Sequence, residues 1–219
     1  MFNLHQNSQQ LCLWCVRPRY HDACTWDLLY HHPYLCNACA AYIKKPIHFH
    51  MGALPCTGML EYDLDVASWL FRYKEDCDVV MAPSFFYGFK RRIKKHKDWV
   101  FVMMPSSASK TKERGFHPLH SMLQPYAKNI SWALFKETDA KQTTLPKSLR
   151  QHVQIGIDPL QRASLTNKKV VLVDDVMTTG STMSAAYALF KDITPHVKCM
   201  VFAVHPKLIE KNNYDIIKS

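Results

Sequence analysis

Residues 168–186 read KKVVLVDDVMTTGSTMSAA: a β-branched apolar run, two adjacent carboxylates, a short polar turn holding one glycine, then alanine-rich sequence. The run ending at Val173 is short and valine-rich, which predicts a buried strand, and STMSAAYALFK at 181–191 predicts a helix. A strand passing directly into a helix is a unit of a parallel sheet, and ligands of such sheets bind beyond the carboxyl ends of the strands. Asp174 and Asp175 fall at that end.

The next residues, Val176, Met177, Thr178, Thr179, Gly180, Ser181 and Thr182, lead into the helix. The first N–H groups of a helix lack internal partners and carry the positive end of its dipole. Hydroxyls, a glycine and free amides at such a terminus form a phosphate cradle. Two carboxylates beside the cradle are placed to hold neutral hydroxyls, for example those of a ribose ring. A paired aspartate at a strand end also fits a cap or a metal site.

Outward from this stretch the chain alternates. YDLDVASWLFRYKE (62–75) has Tyr62, Val66, Trp69, Leu70 and Tyr73 at helical steps, and SFFYGFKRRI (84–93) repeats the pattern with Phe85, Phe86, Phe89 and Ile93. DWVFVMMP (98–105) predicts a buried strand and the polar SSASKTKERGF after it a long loop. LHSMLQPYA predicts a helix, ISWALF and HVKCMVFAV predict strands, and TDAKQTTLPKSLRQ predicts a polar excursion. The whole predicts an α/β fold, a mainly parallel sheet flanked by helices, over residues 51–219. The proline-bearing YIKKPIHFHMGALPCTGML (42–60) reads as the connection from an N-terminal module, residues 1–50.

That module carries Cys12-Leu-Trp-Cys15 and Cys36-Asn-Ala-Cys39, two C-x2-C pairs separated by twenty residues. Two such turns close a tetrahedron of thiolates, the arrangement of a structural zinc site with no open position for chemistry. Cys24, His21, His31 or His32 could replace a ligand, and four buried thiols are the bland alternative. Cys56, Cys77 and Cys199 have no such partner and read as small packing residues.

The 219 residues carry 28 Lys+Arg against 18 Asp+Glu, a formal +10, which points to a polyanionic partner. The excess concentrates in KRRIKKHK (90–97), with Lys90, Arg91, Arg92, Lys94, Lys95 and Lys97; a solvated face gives the same pattern. No apolar run nears the roughly 18 residues of a membrane span, and MFNLHQNSQQ lacks the layout of a secretory signal. These features predict a cytoplasmic protein without a transmembrane segment.

VVLVDDVMTTGSTMSAA closely resembles the phosphoribosyl pyrophosphate (PRPP) motif of type I phosphoribosyltransferases. Four N-terminal cysteines, RYKE (72–75), ERGF (113–116), then Gln142, Leu145 and Arg150, and finally the PRPP motif, follow the order of the ComF (ComFC/GntX) family. These are phosphoribosyltransferase-like proteins associated with DNA uptake in natural transformation. The resemblance implies that Asp174 and Asp175 hold the ribose and stabilise its developing positive charge as the catalytic pair, and that 178–182 hold the 5′-phosphate. It implies a pyrophosphate loop and hood at Ser106, Ser107, Lys110, Lys112 and Arg114, and Mg2+ bound together with PRPP. It also implies single-stranded DNA and other DNA-uptake or recombination proteins as partners, at the inner face of the membrane. Basic residues 90–97 would contact strand phosphates, with Trp14 and Trp99 as candidates to stack bases. Three positions depart from the family pattern: His117 replaces an asparagine after RGF, Lys136 lies near a usual arginine, and MMPSS replaces a VPVP strand end. The alternative is an active phosphoribosyltransferase with an unidentified base or nucleic-acid acceptor.

Overall fold

The computed structural model describes residues 11–19, 32–43, 45–136 and 155–211. The chain forms two compact units, 1–44 and 45–219. The division falls ahead of residue 50 because β1 (Ile47–Met51) pairs antiparallel with β2 (Leu54–Glu61). The stretch read as a connection is therefore a hairpin. Its alternating Ile47, Phe49, Leu54 and Cys56 are buried, a period-2 signal that Pro46 and Pro55 obscure.

In the larger unit a six-stranded sheet runs β1-β2-β8-β7-β3-β4, where β3 is Val100–Met103, β4 Ile130–Ser131, β7 Val170–Met177 and β8 Val197–Val204. All pairings except β1 with β2 are parallel. Strand β7 is thus interior, which explains its unbroken apolar run: Val170 to Val173 are all buried. Cys56 pairs in register with Cys199 across β2 and β8, and both thiols are buried as packing residues.

Helices cover both faces. Helix α8 (Ser181–Phe190) buries Met183, Ala186 and Phe190 in one core cluster with Leu172, Cys199 and Val201. On the other face α2 (Leu64–Lys74) buries Val66, Trp69, Leu70 and Tyr73, and Asp63 caps it by accepting from the Val66 amide at 2.9 Å. Tyr73 packs against Phe85 at a tilt (4.9 Å), and Phe85 meets Phe202 of β8 edge-on (5.0 Å).

Three predicted elements differ in the structure. The single helix expected at 84–93 is broken into α3 (Ala82–Phe85), a 3-10 turn at Tyr87–Phe89 and α4 (Lys90–Lys95), although Phe85, Phe86, Phe89 and Ile93 are all buried as read. Gly88 at the break lowers helix propensity. The segment ISWALF is two strands, β4 and β5 (Leu134–Lys136), and β5 pairs with β6 (Ile155–Ile157) in a separate antiparallel ribbon. The loop expected after β3 contains a helix, α5 (Ala108–Arg114). It has no buried residue and hence no apolar periodicity; Ser107 starts it, and Gly115 ends it with φ 74°. The polar excursion at 138–151 lies outside the described residues. Among the described residues no helix is long and apolar enough to cross a membrane.

In the smaller unit Trp14 (1 % exposed) and Leu35 (2 %) form the core around the cysteine turns, and α1 (Asn37–Ala40) follows Cys36. Trp14 is therefore not available to stack a base, which corrects that expectation.

Candidate functional site

The Asp174–Asp175 pair lies near the carboxyl end of β7, with strands on both sides. The Met104 amide donates to the Val173 carbonyl at 2.8 Å, so the segment leaving β3 starts directly beside the pair. Asp174 Oδ1 accepts the Asp175 amide at 2.9 Å. Asp175 Oδ2 lies 2.6 Å from Lys74 Nζ, with both side chains about one-fifth exposed. Lys74 belongs to the RYKE segment, to which the sequence reading assigned no role.

Burial pushes the Asp174 carboxyl up to about 8, and the neighbouring Asp175 charge adds to this; the Asp175 amide, Lys74 and Lys136 pull the other way. An unfolded aspartate titrates near ~3.9. Between that value and about 8 the folded chain keeps a proton that the unfolded chain has released. Stability from this group is present below the lower value and is lost as pH rises through the window. Asp174→Asn is therefore expected to raise stability most at and above pH 8, by on the order of 1–3 kcal/mol once partial solvent exposure is allowed for, and not at pH 4. Thermal melts across that range check it, and a gain independent of pH would contradict it.

Beyond the acids, Gly180 (φ 75°) turns the chain into α8. Thr178, Thr179 and Ser181 are exposed; Thr179 Oγ1 lies 3.0 Å from Ser181 Oγ and accepts the Ser181 amide at 3.4 Å. Gly180, at the start of α8, has no side chain to cap it, and exposed hydroxyls of Thr178, Thr179 and Ser181 stand beside its first turn. Gly180 is buried, and an added Cβ there would meet Met51 Cε at 2.4 Å. That methionine end can move, but the left-handed φ costs any other residue about 1–2 kcal/mol. Gly180→Ala is expected to lower the melting temperature by roughly 3–6 °C; an unchanged melt would refute the strained turn.

Ser106 and Ser107 follow β3, and Ser107 Oγ lies 2.8 Å from Ser109 Oγ. Lys110 and Lys112 of α5 are exposed. Arg114 is instead engaged, its guanidinium donating to Glu75 Oε1 at 2.5 Å. Next to this group stand His117 and His120, both in ring contact with the half-exposed Trp132 (4.5 and 5.2 Å). Burial and the His120 charge lower the His117 pKa, while Asp175 raises it. Trp132 follows β4, two strands from β7 and at the same carboxyl end.

The basic run lies elsewhere. Arg91, Lys94, Lys95 and Lys97 are exposed, Lys90 donates to the Tyr87 hydroxyl, and Arg92 is half-buried. Trp99 is flanked by the Lys198 ammonium (4.7 Å) and the His96 ring (5.0 Å).

In the smaller unit the Sγ atoms of Cys12, Cys15, Cys36 and Cys39 all lie within 4.8 Å of one another, and Cys15 and Cys36 are 3.6 Å apart. A tetrahedron with bonds of about 2.3 Å has ligand edges of about 3.8 Å. The donor set therefore fits a single metal ion. Without one the thiols share their protons: the Cys39 thiol holds Cys12 down to about 4, while Cys39 itself is driven far up. His32 uses Nδ1 to accept the Tyr34 and Leu35 amides at 3.2 and 3.1 Å. Cys24, His21 and His31 lie outside the described residues.

The sequence matches the phosphoribosyl transferase domain family over residues 128–219, from β4 through the acid pair to the end of the chain. Among characterised proteins it is similar to competence protein ComFC of Streptococcus pneumoniae, with 22% identity over 72% of this chain and 69% of that protein. It is also similar to competence protein ComFC of Bacillus subtilis, with 26% identity over 53% of this chain and 48% of the relative, about half of its length. These matches bear out the resemblance to the ComF family. A hypoxanthine phosphoribosyltransferase of Staphylococcus aureus is 13% identical over 58% of this chain and 75% of its own, with a TM-score of 0.37. A phosphoribosyltransferase of Corynebacterium diphtheriae is 16% identical over 66% and 96%, with a TM-score of 0.27. The architecture is a mainly parallel sheet flanked by helices, together with a cysteine cluster able to hold a metal ion.

Proposed function

We propose that this chain is a competence protein that binds PRPP with Mg2+ at the carboxyl end of β7, and that it handles single-stranded DNA in the cytoplasm through the basic surface of residues 90–97. The observation that supports the reading is the continuous run from two carboxylates in the last half of β7, through Gly180, into a helix start bordered by the exposed hydroxyls of Thr178, Thr179 and Ser181. Asp174 and Asp175 accept the ribose hydroxyls, and the 178–182 turn takes the 5′-phosphate on amides and hydroxyls. Ser106 and Ser107 border the pyrophosphate, with Lys110 and Lys112 free to reach it. Mg2+, which prefers phosphate oxygens and retained water, neutralises pyrophosphate charge when bound. Zinc in the four-cysteine cluster holds the smaller unit together and leaves no ligand position open.

Calorimetric titration of PRPP into the protein tests the first part. A saturable isotherm that requires Mg2+ and is competed by ribose 5-phosphate is expected; no heat with Mg2+ present would sink the reading.

A second reading is turnover, with a base or nucleic acid as acceptor. It draws on the half-exposed Trp132 with His117 beside it, an aromatic surface near Asp175 on which a planar acceptor can stack. Pyrophosphate release that depends on one added base, and is weakened by Trp132→Ala, supports it; silence across the common bases removes it.

A further inference from the structure

We propose that the basic segment holds its strand by one defined anchor: a phosphate site in the cleft between α4 and the sheet, built by Arg92, Lys198, His48 and Thr57. This rests on the nucleic-acid reading above and names the contact. The cleft has a volume of about 50 Å3, and its lining includes Thr57, Arg92, His96 and Lys198 over a floor of Phe101 and Val171. Among the described residues no carboxylate lines it, and no ion pair involves Arg92 or Lys198.

Arg92 is half-buried, and its guanidinium meets His48 Nε2 at 3.3 Å. A guanidinium can only donate, so His48 accepts there as a neutral ring, and its Nδ1–H donates to Thr57 Oγ1 at 3.2 Å. A cation partly withdrawn from water is thus steadied by a neutral ring, with its charge uncompensated by any acid. Lys198 lines the cleft from β8 with its ammonium over the Trp99 ring at 4.7 Å, and His96 Nδ1 donates to the Arg92 carbonyl at 2.8 Å. Two directed cations and a hydroxyl around a small cleft match a tetrahedral oxyanion, which Arg contacts through its planar fork and Lys as a point charge.

The anchor is separate from the acid pair. Val171 in its floor lies four residues before Asp175 on β7, about 13 Å away toward the opposite end of the strand. A free phosphate would use the cleft alone. A strand also engages the exposed Arg91, Lys94, Lys95 and Lys97 of the same segment, and their presence favours a phosphodiester chain.

Anisotropy of fluorescein-labelled oligothymidylate with the full chain tests this, comparing wild type, Arg92→Gln/Lys198→Gln and the charge-matched Lys94→Gln/Lys95→Gln. The cleft pair is expected to weaken binding about tenfold more than the control pair and to flatten the salt slope by about 0.7, the share of the one strand phosphate it holds. Lys198→Gln alone, at an exposed strand position that spares the fold, is expected to cost about fivefold, and melting curves check that each variant is folded. An equal or larger loss in the control pair overturns the anchor while leaving the nucleic-acid reading in place. If inorganic phosphate shifts the His48 ring resonance in wild type but oligothymidylate affinity is the same in the cleft variant, the site takes free phosphate and the strand proposal falls. If wild type binds no oligothymidylate at all, the nucleic-acid reading fails and the anchor with it.

Discussion

Changing both Asp174 and Asp175 to asparagine is expected to weaken Mg2+-dependent PRPP binding by about 100-fold or more while leaving the protein folded. Each carboxylate that accepts a ribose hydroxyl makes a charge-assisted hydrogen bond of roughly 1.5–3 kcal/mol, and 1.4 kcal/mol is tenfold in affinity. The lower ends of two such bonds already give two orders of magnitude. Asparagine keeps the shape of the side chain but loses the charge, so packing around β7 survives. At position 174 it also removes the acid that burial raises to about 8, so the variant should melt no lower than wild type near neutral pH. Loss of binding without loss of stability cannot come from misfolding. Calorimetry gives the affinity, and transformation frequency in cells carrying the same change shows whether the site serves competence. An unchanged affinity would mean that the acids do not contact the ligand; lost binding with normal transformation would separate PRPP from DNA uptake.

The second large effect is expected in the smaller unit. Cys36→Ser, or removal of metal by a strong chelator, should unfold residues 1–44, because the four cysteines surround the site while the core holds only a few residues such as Trp14 and Leu35. Metal binding contributes about 10–16 kcal/mol to comparable zinc-finger peptides, more than so small a core supplies. Metal analysis should find one zinc per chain, and Trp14 fluorescence should shift to that of an exposed indole on chelation. The larger unit should keep its cooperative melt, since its sheet and helices form a core of their own. Retained Trp14 burial after chelation would show that thiol packing suffices.

The parts of this protein that were legible in the sequence are those whose residues are contiguous. The strand, acids, turn and helix at 168–191 lie in one run, and the cysteine turns declare themselves by spacing, so both follow from local rules. The exposed α5 gave no apolar period to read, and proline masked the alternation in the β1–β2 hairpin. Lys74 lies about a hundred residues before Asp175, and only the fold of α2 against the sheet brings them to 2.6 Å. The same holds for His48, Arg92 and Lys198, which come from a strand, a helix and another strand. Trp14 was misread for a related reason: a tryptophan between two cysteines can face water or the knuckle core, and burial alone decides which.

The lysine at Asp175 also bears on how a polyanion reaches a site lined by two acids. At neutral pH Asp174 holds its proton and Asp175 is matched by Lys74, so the resting acid pair carries almost no net charge. On the proposed reading, an incoming phosphate would meet little electrostatic barrier from this pair. The negative charge that would grip the sugar would come from loss of the Asp174 proton and of the Lys74 contact, which would make the site acidic after arrival and neutral before it.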